Sequence, residues 1–119
     1  MSKVICCVET IETAKRRLAA AFEGVAQEPR IAFTSYEQMY RILTPKRLEL
    51  LRALPGQGPL GVREVARRVD RSPGNVHADI DALAKAGIVD RVNGDVEFPY
   101  DDAQFDLALS SAVALPSAA

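Results

Sequence analysis

Arginine and hydrogen-bonding side chains are concentrated in one short stretch of the sequence. Between positions 67 and 77 it holds three arginines, a serine, an asparagine and a histidine: Arg67, Arg68, Arg71, Ser72, Asn75 and His77. Guanidinium groups bind phosphate through their charge and paired N–H donors, and the amide and imidazole groups can hydrogen-bond to the edges of bases. The chemistry that these residues indicate is recognition of a polyanion, not the making or breaking of bonds.

Arrangements typical of catalysis or of metal binding are not indicated. His77 is the one histidine, and the two cysteines, Cys6 and Cys7, are adjacent, so a metal cluster lacks ligands and a disulfide is disfavoured. The sequence contains no Ser–His–Asp, P-loop or Gly-rich dinucleotide motif. We therefore expect no enzymatic activity, no metal and no cofactor, and we interpret the cysteines as small buried residues of a strand.

Composition and charge limit the class of protein. With 119 residues, 48% apolar and 26% charged, the chain is expected to form one globular domain with a short appendage. No apolar run approaches the roughly 20 residues that span a bilayer, so we expect a cytoplasmic protein without membrane contact. Residues 1–88 carry 14 Lys+Arg and 10 Asp+Glu, which gives +4, whereas residues 89–119 carry 1 and 6, which gives −5. The basic part permits contact with nucleic acid, while the acidic tail stays solvated or meets a basic partner.

The stretch Arg71–Gly87 has the sequence features of a helix. Ser72 is placed to cap it, Pro73 suits the first helical position, and Gly87 suits the left-handed residue that ends it. Its apolar residues recur at helical spacing and predict one buried stripe: Val76, Ile80 and Leu83. At 100° per residue, the residues opposite or beside this stripe are Gly74, Asn75, His77, Ala78, Asp81 and Lys85.

The exposed side of this helix has two possible interpretations. Asn75 and His77 can contact base edges, or Asn75 can merely support the first turn while His77 is solvated. Asp81 would repel phosphate unless it accepts a hydrogen bond from cytosine N4. Asp79, at the margin of the buried stripe, is expected to pair with Lys46 or Arg47 inside the domain.

The chain before this helix alternates short strands and helices. We predict strands at 3–8 and 31–33, and a helix over about 10–25 with an apolar face of Ile11, Ala14, Leu18, Ala21, Phe22 and Val25. A helix through about Leu43 is capped by Thr34 or Ser35, with Glu37 completing a capping box from Thr34. Thr44 and Pro45 open the next helix, whose Leu48, Leu51 and Leu54 face inward, and a helix at 62–69 buries Val62, Val65, Ala66 and Val69.

The chain after this helix is expected to be β-structure. Asn93-Gly94 lies between alternating residues and is a strong signal for a hairpin with a two-residue turn. Phe105, Leu107 and Leu109 alternate with Asp106 and Ala108 and predict a last strand before a loose tail. Three helices followed directly by a hairpin are the element order of a winged helix-turn-helix domain.

At residues 44–100 the chain resembles predicted transcriptional regulators of the MarR-like winged-helix superfamily. The resemblance lies in LTPKRLELLRAL (43–54), GPLGVREVARRV (58–69), SPGNVHADIDALAKAGIV (72–89) and FPYDD (98–102). A weaker match, IAFTSYEQMYRIL (31–43), is similar to a subgroup of archaeal and bacterial regulators with a strand–helix leader. The relatives often have a basic residue where this chain has Ala78 and Asp81, and serine where it has Gly61.

The resemblance implies an α+β fold and sequence-specific binding of double-stranded DNA by a homodimer. It places helix 72–86 in the major groove and hairpin 88–98 against the backbone as a wing. We expect three segments: a strand–helix–strand leader for dimerisation (1–33), the winged helix-turn-helix domain (34–102) and a C-terminal strand and tail (103–119). The expected DNA-binding residues are Lys46, Arg47, Arg67, Arg68, Arg71, Ser72, Gly74, Asn75, His77, Ala78 and Arg91.

A second hypothesis belongs to another class of function. Some members of that subgroup resemble antitoxins encoded beside small toxin genes. In that case the acidic tail and the helix face that bears Asp81 would bind a cognate toxin, with or without DNA binding.

Overall fold

Five helices and five strands follow one another in the computed structural model, which describes residues 2–26 and 29–106. In chain order they are β1 (Lys3–Val8), α1 (Ile11–Phe22), β2 (Arg30–Phe33), α2 (Tyr36–Ile42), α3 (Pro45–Leu51), α4 (Val62–Val69), α5 (Pro73–Lys85), β3 (Asp90–Val92), β4 (Asp95–Glu97) and β5 (Asp102–Asp106). The fold is α+β, as the sequence predicts. Among the described residues, no helix is long and apolar enough to cross a membrane.

A three-stranded parallel sheet joins the two ends of the described chain. Its order is β2-β1-β5, with Cys6 of β1 opposite Ile31 of β2 on one side and Phe105 of β5 on the other. The central strand is buried from Val4 to Cys7, which explains its continuous apolar run, because a central parallel strand is covered on both faces. The predicted strands at 3–8 and 31–33 are confirmed. Of the predicted last strand, Phe105 lies in β5, whereas Leu107 and Leu109 lie outside the described residues.

The sheet shares one hydrophobic core with helices α3 to α5 and with the β3–β4 hairpin. Val4 and Cys6 alternate with Ile5 and Cys7 along β1, and only the first pair belongs to this core. Besides Val4, the fully buried members come from the helices, the connection after α3 and the hairpin: Leu50, Leu54, Val65, Val76, Ile80, Leu83 and Val96. The N-terminal leader is therefore packed into the same structural unit as the helices.

The hairpin is extended by one residue of the connection between α3 and α4. Strands β3 and β4 pair antiparallel, and Leu60 forms an isolated bridge with Val96 of β4. The two backbone hydrogen bonds of this bridge are both 2.8 Å long. The bridge pairs the chain before α4 with the hairpin that follows α5. Paired β-segments therefore come directly before α4 and directly after α5 in the sequence.

Three of the predicted helix starts agree with the structure, and one capping box does not. Ser72, Thr44 and Ser35 each accept a hydrogen bond from the backbone N–H three residues later. The box predicted for Thr34 and Glu37 is wrong. Instead Gln38, whose own N–H is bound by the Ser35 hydroxyl, accepts from the Thr34 N–H at 2.7 Å. The Gln38 side chain therefore binds the backbone of the residue before the cap, whereas the side chain in a capping box binds the N–H of the cap residue itself.

The inward side of α3 also differs from the prediction. Leu50 and Leu54 are fully buried, whereas Leu48 and Leu51 are only partly buried. The reason is a largely apolar cavity of about 390 Å³ between α3 and the sheet, which Leu48 and Leu51 line together with Cys6, Phe33 and Phe105. The core stripe predicted for α5 is confirmed in full. On α4, Val65 and Ala66 are buried as expected, whereas Val62 and Val69 are only partly buried.

Candidate nucleic-acid interface

Helix α5 presents one fully buried side and one exposed side. Val76, Ile80 and Leu83 have no accessible surface, which fixes the rotation of the helix in the domain. The Ser72 hydroxyl accepts a hydrogen bond from the Asn75 N–H at 3.4 Å. At the other end Gly87 has φ +78°, and the Ile88 N–H returns to the Leu83 carbonyl at 3.0 Å. These caps hold the ends of α5 because they satisfy backbone groups that the helix cannot pair itself.

The first two turns of α5 are open to solvent on the side opposite the core. Gly74, Asn75, His77 and Ala78 are all exposed, as is Ser72 at the cap. The space around Gly74 is empty to 4 Å from the position of a Cβ atom, so a ligand can approach the backbone closely. Unpaired N–H groups at the start of a helix favour an anion. The surface formed by residues 72–78 is hereafter called the α5 entry face.

Asp79 binds two of the arginines that were predicted from the sequence to contact DNA. Its carboxylate accepts from Arg47 Nε at 3.1 Å and from Arg71 Nη2 at 2.7 Å. All three side chains are at least three-quarters buried. The predicted pairing of Asp79 with Arg47 is thus confirmed, and Arg71 is a second partner that the sequence analysis missed.

Arg47 and Arg71 are directed into the domain by these contacts. Arg47 Nη1 also donates to the Ile42 carbonyl at 3.1 Å, which holds the end of α2. Burial raises the pKa of Asp79, but hydrogen bonds from Arg71 and then Arg47 outweigh that effect and leave the pKa below its usual value. The ionised form of Asp79 is therefore the one that the fold stabilises.

Asp81 has a cationic partner on the hairpin. Arg91 of β3 lies 3.4 Å from its carboxylate through Nη1, and Nη2 of the same guanidinium donates to the Gly94 carbonyl at 3.0 Å. His77 Nδ1 is 3.7 Å from the other Asp81 oxygen. The acidic residue that disfavours phosphate on this face is thus partly neutralised, and Arg91 links α5 to the tip of the hairpin.

The hairpin turn has the conformation that its sequence predicts. Asn93 and Gly94 both have positive φ, +52° and +86°, as a type I′ turn requires. Besides Arg91, the hairpin strands carry Asp90, Asp95 and Glu97. Arg91 and the turn backbone are therefore the parts of the hairpin that suit a polyanion.

The charged surface of α4 consists of one glutamate and three arginines: Glu64, Arg63, Arg67 and Arg68. Glu64 accepts from Arg67 and, at 2.9 Å, from Arg68 Nε. The hydrogen bonds from Arg67, and then the one from Arg68, lower the pKa of Glu64 to about 2. Arg67 remains mostly exposed, and Arg68 Nη1 also reaches Gln57 Oε1 at 2.9 Å. Both arginines are held near the surface, where Arg67 in particular is accessible to a phosphate.

Two further basic residues, one on α3 and one on α4, are exposed. Lys46 is exposed in the first turn of α3, next to Arg47, whose contact with Asp79 places this turn beside α5. Arg63 is exposed in the first turn of α4 and was missed by the sequence analysis. Its spacing of one helical turn from Arg67 is the signal that could have identified it. Among residues 2–26 and 29–106, no three potential metal ligands come together.

Comparison with known proteins gives one match. Residues 42–105 match the model of a protein family described as HVO_A0114, a segment that runs from the end of α2 into β5. No curated protein and no solved structure matches the chain. The matched description names neither an activity nor a winged-helix family.

Proposed function

The chain belongs to the HVO_A0114 family, and we propose that it is a DNA-binding transcriptional regulator that acts as a homodimer. The observation that carries the proposal is the α5 entry face: a doubly capped helix with one side fully buried and the other side open and lined by small or hydrogen-bonding residues. A helix of this kind fits the major groove, which is about 12 Å wide.

The order and pairing of elements support a winged helix-turn-helix domain at residues 34–102. In this proposal α4 and α5 are the two helices of the motif, the β3–β4 hairpin is the wing, and Leu60 supplies the short third strand. The left-handed Asp70, with φ +55°, makes the turn between the two helices. MarR-like regulators share this order of elements, which is why the resemblance in sequence agrees with the proposal.

The residues divide into base-contacting, phosphate-contacting and supporting groups. Asn75 and His77 are proposed to contact base edges, while Ser72, Gly74 and Ala78 allow the close approach. Phosphate contact is assigned to Lys46, Arg67, Arg68 and Arg91, whose side chains lie at the surface. Arg47 and Arg71 support the interface indirectly, because their ion pairs with Asp79 fix α3 and the start of α5.

The test is DNA binding measured by fluorescence anisotropy as salt is varied. The native chain is expected to bind the DNA upstream of its own gene more tightly than random DNA, with affinity falling as salt rises. Asn75→Ala combined with His77→Ala should reduce binding to the upstream DNA towards that to random DNA. Lys46→Gln combined with Arg67→Gln should weaken both and lower the salt dependence by about two ions.

Lys3→Gln is the matched control, since it also removes a positive charge but lies on β1, where Lys3 contacts Gln104. It should bind DNA as the native chain does. Absence of DNA binding even at low salt would refute the proposal.

A further inference from the structure

Helix α1 carries an apolar stripe that the described fold leaves exposed. Ile11, Leu18 and Phe22 expose 72%, 57% and 84% of their surface, and α1 has no buried residue. The partly buried side of α1 is centred on Arg17, which makes two hydrogen bonds of 2.9 and 3.0 Å to Glu9 at the end of β1, and Ala14, at the border between the two sides, is also partly buried. An exposed patch of large apolar side chains beside a fixed ion pair marks an interaction surface.

The spacing within the stripe is symmetric about Leu18. Ala14 comes four residues before Leu18 and Phe22 four residues after it, and Ile11 continues the stripe a further turn towards the start. At 100° per residue, these three lie within about 40° of Leu18 around the helix. If two copies of α1 lie antiparallel about a two-fold axis at Leu18, Leu18 meets its own copy and each Ala14 meets the other Phe22. Phe22, the largest side chain of the stripe, then packs over Ala14, the smallest, at two places related by the symmetry axis.

We infer that α1 binds α1 of a second copy of this chain, antiparallel and centred on Leu18. An interface of this kind is self-complementary, as two-fold symmetry demands. The α1 contact identifies the surface that joins the two chains of the proposed homodimer. Its role in DNA recognition rests on the proposed function, whereas its formation does not. The candidate DNA-binding residues lie on α3 to α5 and β3, so α1 pairing leaves them available.

The charges of α1 are compatible with this arrangement. Only Leu18 lies opposite itself, so no charged residue faces its own copy. Lys15, three residues before Leu18, lies opposite Ala21 of the other copy, three residues after Leu18, so the two lysines do not face each other. Arg17, which would otherwise add a positive charge, is neutralised within its own chain by Glu9.

The size of the patch determines how strong the contact is. Helix α1 has 12 residues and is about 18 Å long, so a single α1–α1 contact is short for a specific interface, which begins at roughly 1,000 Å². We therefore expect a dimer whose dissociation depends on concentration in the micromolar range, and which is strengthened when both copies occupy one DNA site.

Disulfide crosslinking tests the register directly. Leu18→Cys should form an interchain disulfide under mild oxidation, because position 18 faces itself and a disulfide needs Cβ atoms about 3.5–4.5 Å apart. Arg16→Cys is the control on the opposite side of α1 and should not crosslink. Ala14→Cys mixed with Phe22→Cys should crosslink more than either variant alone. The buried Cys6 and Cys7 remain in every variant and are equally present in the native control.

Sedimentation tests the affinity without disulfides. Leu18→Glu should raise the dissociation constant of the dimer at least tenfold and leave the far-UV circular dichroism unchanged, because Leu18 packs against nothing in the core. Lys15→Gln, which leaves the stripe intact, should dimerise within a few-fold of the native chain. A native chain that stays monomeric up to about 100 µM, or Arg16→Cys that crosslinks as fast as Leu18→Cys, would overturn the inference.

The two proposals fail separately in these experiments. A crosslinked Leu18→Cys dimer that does not bind DNA would refute the proposed function and leave the interface standing. A chain that binds its upstream DNA but does not dimerise through position 18 would refute the interface alone.

Discussion

Single residues determine whether an arginine near α5 is free to bind a ligand or is already paired within the domain. Arginines at 47 and 71 look equivalent to those at 67 and 68 in the sequence, yet the structure buries the first two against Asp79 and leaves the others near the surface. The difference comes from one carboxylate at the margin of the buried stripe of α5. The contribution of Asp79 to stability is therefore the first property to measure.

Asp79→Asn is expected to lower the free energy of unfolding at pH 7 by about 1–3 kcal/mol, because two mostly buried guanidinium groups lose their counter-charge. The pKa of Asp79 is lowered in the folded state. Its stabilisation is thus present above the ordinary carboxyl pKa of about 3.9 and is lost as the pH falls through the lower folded value.

Urea unfolding of native and variant chains at pH 7 and at pH 3 checks this. The difference between them should shrink at the lower pH. Glu37→Gln is the control, since it removes a pair with Arg41 that is largely exposed and should change little. An equal difference at both pH values would contradict the assignment.

Gly74→Ala separates folding from binding at the α5 entry face. A Cβ atom at Gly74 would meet nothing within 4 Å, so the variant should be as stable as the native chain or more stable by up to about 1 kcal/mol. Its affinity for DNA should fall about tenfold or more, because the methyl group would separate the backbone from the groove or phosphate. Thermal unfolding and DNA anisotropy are the two measurements. Unchanged affinity would show that DNA does not approach Gly74.

Among the elements, the β3–β4 hairpin is the one whose local sequence agrees most closely with its structure. Asn93-Gly94 predicts a two-residue turn, and both residues have the positive φ that this turn requires. The position of the hairpin is set at longer range: Leu60 pairs with Val96, and Arg91 contacts Asp81. The turn can be predicted from two residues, whereas its orientation towards α5 cannot.

Gly94→Ala should destabilise the hairpin by about 1 kcal/mol, because φ +86° is unfavourable for a residue with a Cβ atom. Gly74→Ala is the matched control. Gly74 does not have a positive φ, and nothing lies within 4 Å of the position of a Cβ atom there, so that variant should lose no stability. Thermal unfolding followed by circular dichroism compares the two, and an equal loss in both would refute the role of the turn.

At the scale of the whole molecule, the sheet and the helices form one core. Val4 and Cys6 of β1 pack with residues of α3 to α5, and β5 returns the chain to the other edge of β1. Strands β1 and β2, from the predicted leader, and β5, which overlaps the start of the predicted C-terminal segment, therefore lie in the same sheet. Burial, and next the neighbouring Cys7, raise the pKa of Cys6 to about 11, so its thiol is protonated and protected in the folded state.

Cooperative unfolding can be measured with this thiol. In a Cys7→Ser variant, Cys6 should react with a thiol reagent at pH 8 only over the urea range in which the helical circular dichroism is lost. The reason is that the sheet cannot open without exposing the core that it shares with the helices. Labelling of Cys6 at urea concentrations that leave the helices intact would show two separate units.

The sequence by itself determined the features that depend on neighbours in the chain. The caps at Ser72 and Thr44, the buried stripe of α5 and the turn at Asn93-Gly94 follow from backbone and helix geometry within a few residues. Most of the surface residues of the candidate site were also predicted in this way, including Asn75, His77 and Lys46.

Only the tertiary structure decided which of those residues are free to act. Asp79 binds Arg71, eight residues away in the sequence, and Arg47, 32 residues away. Asp81 of α5 contacts Arg91 of the hairpin. β5 joins β1 across nearly the whole chain, and the stripe of α1 remains outside the core although its pattern is as apolar as that of α5. These outcomes depend on how separate elements pack, and a periodic pattern specifies which side of a helix is apolar but not what covers it.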